Sequence, residues 1–182
     1  MRVCAGRYKG RTLVYPRTGL RPTKDITRQA IFNMLGSLSC GARVCDLFAG
    51  GGALGIEALS RGAVEAIFVE KSPAVLRFLR MNVRGLAGAR VLRGDVLAVM
   101  PRLGSGFDIV LADPPYLNGL VQATLDKAAD HGLVRPGGVF VLEHHRQERP
   151  VPGAAWELVR QGRYGETWVS LLRRQDVEGK GK

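Results

Sequence analysis

The chain has few of the features that mark specialised environments. No run approaches the ~18 consecutive apolar residues of a membrane-spanning helix, and Met1-Arg2-Val3-Cys4 opens no signal-peptide pattern. Cysteine is scarce: Cys4, Cys40 and Cys45 are odd in number, with no C-x-x-C pair and no adjacent histidine. That argues against a disulfide framework and a metal centre, and leaves reduced core thiols in a cytoplasmic protein as the expectation. Of the three histidines, His131 reads as a helix end, and His144 and His145 follow Glu143 beyond a strand as structural groups. Acid is also in short supply. Against 27 Lys and Arg stand 16 Asp and Glu, giving a net charge of +11 over 182 residues.

Such a surplus points to a polyanionic partner. It is concentrated at the start: residues 1–39 hold Arg2, Arg7, Lys9, Arg11, Arg17, Arg21, Lys24 and Arg28 against the single acid Asp25. A solvated basic face is one reading of this leader. Tyr8 and Tyr15 interleaved with the charges suit nucleic acid better. Membrane docking fits less well, because no continuous amphipathic stripe runs through the segment. Residues 1–20 alternate loosely around Tyr8-Lys9-Gly10 and predict a small basic β-hairpin extension. Arg7, Lys9, Arg11, Arg21 and Arg28 are its candidate RNA contacts, together with the turn and helix that follow.

The length fits one core domain, placed at residues 21–175, with a frayed tail over 176–182. Ile26, Ala30, Ile31, Met34, Leu35 and Leu38 recur at helical spacing, capped by Thr23 or Asp25, with Arg28 and Asn33 off the stripe. From Arg43 onward, short apolar runs at 44–48, 66–69, 90–92, 108–112 and 139–142 alternate with helical segments at 54–61, 72–84 and 120–131. Arg135-Pro136-Gly137-Gly138 reads as a turn before the fifth strand. A hairpin over 155–172 closes the chain. The pattern predicts an α/β protein with a mostly parallel seven-stranded sheet and an antiparallel C-terminal hairpin.

Gly50-x-Gly52-x-x-Gly55 follows the first strand and opens a helix, and Glu70 ends the second strand. Glycine permits the tight turn and lets a ligand approach the backbone, while the acid can accept from ribose hydroxyls. The same logic serves a nicotinamide dinucleotide and S-adenosylmethionine. Asp46, where an acid could meet a cationic amine, and Asp95, where one could accept from an adenine amine, lean toward the second. Either could instead cap a neighbouring loop or helix. Phe48, Ala49, Lys71 and Val96 flank these positions and complete the expected donor-binding set.

The fourth strand stops at Asp113-Pro114-Pro115-Tyr116. Two prolines cannot donate to a ladder, so the strand must end there with a stiff backbone. Ligands in open α/β sheets bind just beyond strand ends. One acceptor side chain (Asp113), one bare carbonyl (Pro114) and one ring (Tyr116) suit a flat molecule with an exocyclic amine; a simple capped turn is the alternative. An oxidoreductase would leave this motif and the basic charge idle, and a non-catalytic RNA-binding protein would leave the site residues without a task. An adenine-N6 or DNA amino-methyltransferase would use them all.

The chain resembles the RsmD-type bacterial 16S ribosomal RNA guanine-N2 methyltransferases. The resemblance is carried by Arg21-Pro22-Thr23 with Asp25, Arg28 and Phe32-Asn33; by the segment from Asp46 to Gly62; by Asp113-Pro114-Pro115-Tyr116; and by Pro136-Gly137-Gly138 and Tyr164-Gly165. Gly51, where the family often has serine, and Ile26, where a basic residue is common, depart from it. The resemblance implies a Rossmann-like class I methyltransferase fold with S-adenosylmethionine as donor. It implies as acceptor the N2 amine of a guanine in a 16S rRNA hairpin loop, position 966, methylated during small-subunit maturation. A monomer is the expected state of the chain.

Overall fold

Five apolar runs rich in Val, Ile, Leu and Phe, each bounded by Gly or Pro, pair as parallel strands. The computed structural model describes residues 1–16 and 25–176. Its elements are α1 (Asp25–Leu35), β1 (Arg43–Leu47), α2 (Ala53–Ser60), β2 (Glu65–Glu70), α3 (Pro73–Val83), β3 (Ala89–Arg93), α4 (Val96–Val99), β4 (Phe107–Ala112), α5 (Leu120–Asp130), β5 (Val134–His145), β6 (Trp156–Tyr164) and β7 (Thr167–Arg174). They form one seven-stranded sheet in the order β3-β2-β1-β4-β5-β7-β6. The first five strands are parallel, and β7 lies antiparallel between β5 and β6. Strands β1, β4 and the second half of β5 are buried on both faces, while the edge strand β3 stays partly exposed. This is the expected Rossmann-like methyltransferase sheet. The chain reverses its direction of travel across the sheet between β1 and β4, so their carboxyl ends open a crevice.

Side chains alternate across the sheet with period two. Val44, Ile109, Leu111, Val139 and Val141 face α1, α2 and α3, whereas Cys45, Leu47, Val110, Ala112, Phe140 and Leu142 face α4 and α5. All eight residues of α2 are buried. Gly55 makes that possible, because a Cβ there would lie 2.3 Å from the Phe68 ring of β2. Among the described residues no helix is long and apolar enough to cross a membrane.

Three expectations are corrected. Strand β5 is twelve residues long and runs through His144 and His145, because β7 pairs with it from Val139 to His145, while Val134 at its start pairs with Phe107 of β4; Pro136–Gly138 is a register shift inside it rather than a turn before it. Helix α1 buries Thr27, Arg28, Ile31, Phe32 and Leu35 and leaves Ile26 70% exposed, so its stripe is rotated from the one hydropathy suggests. The cause is Arg28, an ion-paired residue that apolar periodicity cannot place inside. Of the cysteines, all free, Cys45 alone is fully buried and Cys40 is exposed.

Among its described residues the leader forms one antiparallel bridge, Arg2 with Thr12, and no continuous strands. It is stitched to α2. The N–H groups of Cys4 and Ala5 donate to the buried Glu57 carboxylate at 2.8 and 3.1 Å, and Arg7 N–H donates to the Ser60 carbonyl at 2.8 Å. A Cβ on Gly6, whose φ is +82°, would lie 1.8 Å from that carbonyl oxygen, so only glycine permits the approach. Val3 and Leu13 join the core that α1 and α2 share. The leader is therefore an extension in sequence order that packs as part of the main body. The expected boundary at residue 20, Arg21, the Thr23 cap and most of the tail lie outside the described residues.

Candidate methyl-transfer site

A cleft of about 630 Å³ opens at the carboxyl ends of β1, β2 and β4. Asp46, the residue before the last of β1, points toward α2, where its Oδ2 accepts from the Gly55 N–H at 2.8 Å. Burial pushes its carboxyl up to about 7; the Gly55 bond opposes this, and Asp113 and Glu70 add to it. The chain then turns sharply, with Phe48 at φ 61° and Ala49 N–H donating to the Val69 carbonyl at 2.9 Å. Glu70 accepts from Gly50 N–H at 3.0 Å through one oxygen and from Ser72 N–H at 2.7 Å through the other. Each oxygen keeps a lone pair for a hydroxyl. Phe48, Ala49, Gly50, Glu70, Lys71 and Val96 all line the cleft with Asp46.

Gly52, Gly55 and Asp95 are not on its wall. Gly52 sits at φ 86° as the residue preceding α2, and Gly55 serves helix–strand packing, so both shape the loop without facing the cleft. Asp95 caps α4, accepting from Leu97 N–H at 3.1 Å, and its other oxygen lies 3.7 Å from Lys71 Nζ. Of the two roles open to Asp95 in the sequence, the cap is the one its geometry displays.

Beyond β4, Asp113 is half-buried, Pro114 is buried, and Tyr116 is 37% exposed at the mouth of the cleft. The Tyr116 hydroxyl donates to Glu143 Oε1 at 2.9 Å and lies 2.8 Å from Thr167 Oγ1. Its ring centre is 6.0 Å from that of His145. Burial and the nearby Glu143 carboxylate hold the phenol well above its ordinary value. Glu143, Glu166, Thr167, Ser72 and Tyr15 line the same cleft without having been foreseen. Glu143 carried a weak signal as an acid in an apolar strand. Glu166 and Thr167 come from the β6–β7 turn and the start of β7, which strand order brings here; Tyr15 comes from the leader, and Ser72 from the entry to α3 just after Glu70. His144 is buried against Ser170 Oγ at 2.9 Å, away from the wall.

Among the leader's basic residues, Arg7 and Lys9 are exposed, and Arg11 donates to the Arg84 carbonyl at 2.7 Å. Arg28 is corrected. Its side chain is wholly buried, 2.9 Å from Asp25 Oδ1 and 3.6 Å from Glu57 Oε2, and it donates to the Arg2 carbonyl. It ties α1, α2 and the leader together and presents nothing to a phosphate.

A glycine loop whose backbone carries no obstructing side chain, an acid at the end of β2 and a second acid by the loop fit an adenosyl donor with a cationic amino-acid end. With the sheet order, they define a class I methyltransferase. The solved structure of an RNA methyltransferase from Salinibacter ruber in complex with S-adenosyl-L-homocysteine shares the fold, with a TM-score of 0.66 at 17% identity.

The family model described as Conserved hypothetical protein 95 matches residues 1–173. The chain is 34% identical to ribosomal RNA small subunit methyltransferase D of Escherichia coli, over 96% of this chain and 90% of that one. It is 30% identical to the Haemophilus influenzae protein of the same name, over 88% and 87%. The solved structure of Escherichia coli yhhF superposes with a TM-score of 0.87 at 34% identity, covering 96% and 98% of the two chains. The chain belongs to this family, the RsmD-type ribosomal RNA methyltransferases.

Proposed function

We propose that the chain methylates the exocyclic N2 amine of a guanine in a 16S rRNA hairpin loop, position 966, on an assembling small subunit in the cytoplasm, acting as a monomer. The observation that carries this is the placement of Asp113, Pro114 and Tyr116 on the rim of the cleft that Asp46 and Glu70 also line. S-adenosylmethionine supplies an electrophilic methyl group on a sulfonium. An aromatic amine is a weak nucleophile, since its lone pair is delocalised into the ring. Asp113 and the Pro114 carbonyl accept its N–H bonds and aim the lone pair into the cleft. Tyr116, its hydroxyl tethered by Glu143 and Thr167, offers a ring on which the base stacks. Glu70 takes ribose hydroxyls, and Asp46 faces the amino-acid end. A base must leave its stack to enter, at a cost of about a few kcal/mol that is least in a single-stranded loop. Arg7, Lys9, Arg11 and Arg21 supply phosphate contacts with little sequence preference.

The test is transfer of a labelled methyl group to purified small subunits, naked 16S rRNA and DNA, followed by nucleoside analysis. Label recovered as N2-methylguanosine from ribosomal RNA is the expected result. Label in N6-methyladenine, or in DNA alone, would overturn the acceptor assignment.

A further inference from the structure

Asn82, near the end of α3, is 3% exposed and lies outside the residues assigned above. Its Oδ1 accepts from Val14 N–H at 2.9 Å, and its Nδ2 donates to the Val14 carbonyl at 2.9 Å and to the Gly51 carbonyl at 2.8 Å. One amide thus satisfies both backbone groups of Val14, as a neighbouring strand would, and uses its remaining donor on the glycine loop. Only a carboxamide carries a donor and an acceptor in that arrangement. The residue after Val14 is Tyr15, whose ring lies on Gly51: a Cβ there would be 2.2 Å from Tyr15 Cε1. The Tyr15 hydroxyl donates to Met1 Sδ at 3.2 Å, and Tyr15 lines the cleft beside Asp46. Burial holds its phenol well above the ordinary value; Arg28 opposes this, and Asp46 and Asp25 add to it.

We infer that Tyr15 is a wall of the donor site at its glycine-loop end, fixed there by Asn82 as a positioning residue, so that the basic leader also completes the pocket for the donor's amino-acid end. This rests on reading the cleft as a donor site. Gly51 is then glycine because the tyrosine ring fills the space a side chain would need. No left-handed conformation is required of Gly51, so Gly51→Ala probes that contact without backbone strain.

The experiment is calorimetric binding of two ligands to the full-length protein: S-adenosylhomocysteine, and 5′-methylthioadenosine, which lacks the amino-acid end. Tyr15→Ala and Asn82→Asp should weaken S-adenosylhomocysteine about tenfold, the scale of one lost contact of about 1.4 kcal/mol, and change methylthioadenosine less than about twofold. Asn82→Asp keeps the acceptor for Val14 N–H and removes both donated bonds. Gly51→Ala should weaken S-adenosylhomocysteine as well. Added to Tyr15→Ala it should cost nothing more, because the clashing ring is gone. Equal losses for both ligands would assign Tyr15 and Asn82 to general stability and overturn the inference, as would an unchanged affinity in Tyr15→Ala. A wild-type protein that binds neither ligand would instead overturn the donor reading beneath it. Tyr15→Ala alone suffices if the buried Asn82 variant fails to fold.

Discussion

The two halves of the cleft are held by different bonds. On the donor side, Asp46 and Glu70 accept from the backbone N–H groups of Gly55, Gly50 and Ser72, and the loop is pinned to β2 through Ala49. Backbone partners cannot swing away, so this half is set before any ligand arrives. On the acceptor side, Tyr116 is held by two side chains, Glu143 and Thr167, and Pro115, Tyr116 and Leu117 face solvent. A small donor of fixed shape suits a rigid pocket, whereas a nucleotide swung out of an RNA loop needs an open rim. Losses on the donor side should therefore appear in binding, and losses on the acceptor side in turnover.

The largest expected effect breaks the two halves apart. Asp113→Ala should lower methyl transfer on the order of a hundredfold or more, by loss of the group that orients the amine, while donor-analogue affinity by calorimetry stays near wild type. Retained transfer would remove Asp113 from the reaction, and lost donor binding would mean that the halves are not separable.

Next comes the donor side's dependence on pH. Folding raises the Asp46 carboxyl from 3.8 to about 7. Its contribution to the stability of the donor-free protein is complete below the ordinary value and is lost as pH rises through about 7. A cationic amine needs the ionised form, so affinity for S-adenosylhomocysteine should rise about tenfold per pH unit up to about 7 and level off above it. Asp46→Asn should flatten that rise. A flat wild-type profile would show that Asp46 does not exchange a proton on binding.

Smallest is the tyrosine pair. Tyr116→Ala should raise the KM for RNA by removing the stacking surface, and Tyr116→Phe should cost only about 1 kcal/mol, a hydrogen bond's share. Equal losses in the two variants would mean that the hydroxyl tether, rather than the ring, is what matters.

Much of the framework was legible from local pattern. Strands β1 to β4 and helices α2, α3 and α5 fall within one or two residues of the segments that periodicity, glycine and proline marked. Asp46, Glu70 and the Asp113 motif stand out because each is a polar group closing an apolar strand. Arg28 misled, because a buried ion-paired arginine and an exposed one look alike in sequence; Glu57, which pairs it, is distant along the chain. Gly52, Gly55 and Asp95, expected as donor contacts, take loop, packing and capping places in the structure, because those tasks use the same residue types as ligand contact.

What the sequence by itself determined is the set of elements, the two motifs and the charge surplus, all properties of neighbours along the chain. Tertiary structure alone decided that β7 slots between β5 and β6, which carries Thr167 to Tyr116 and extends β5 through His145. It also decided that the leader folds back against α2 and α3, placing Tyr15 on Gly51. Those contacts join residues thirty to seventy positions apart. Their existence depends on which surfaces find complementary partners, and no local periodicity encodes that.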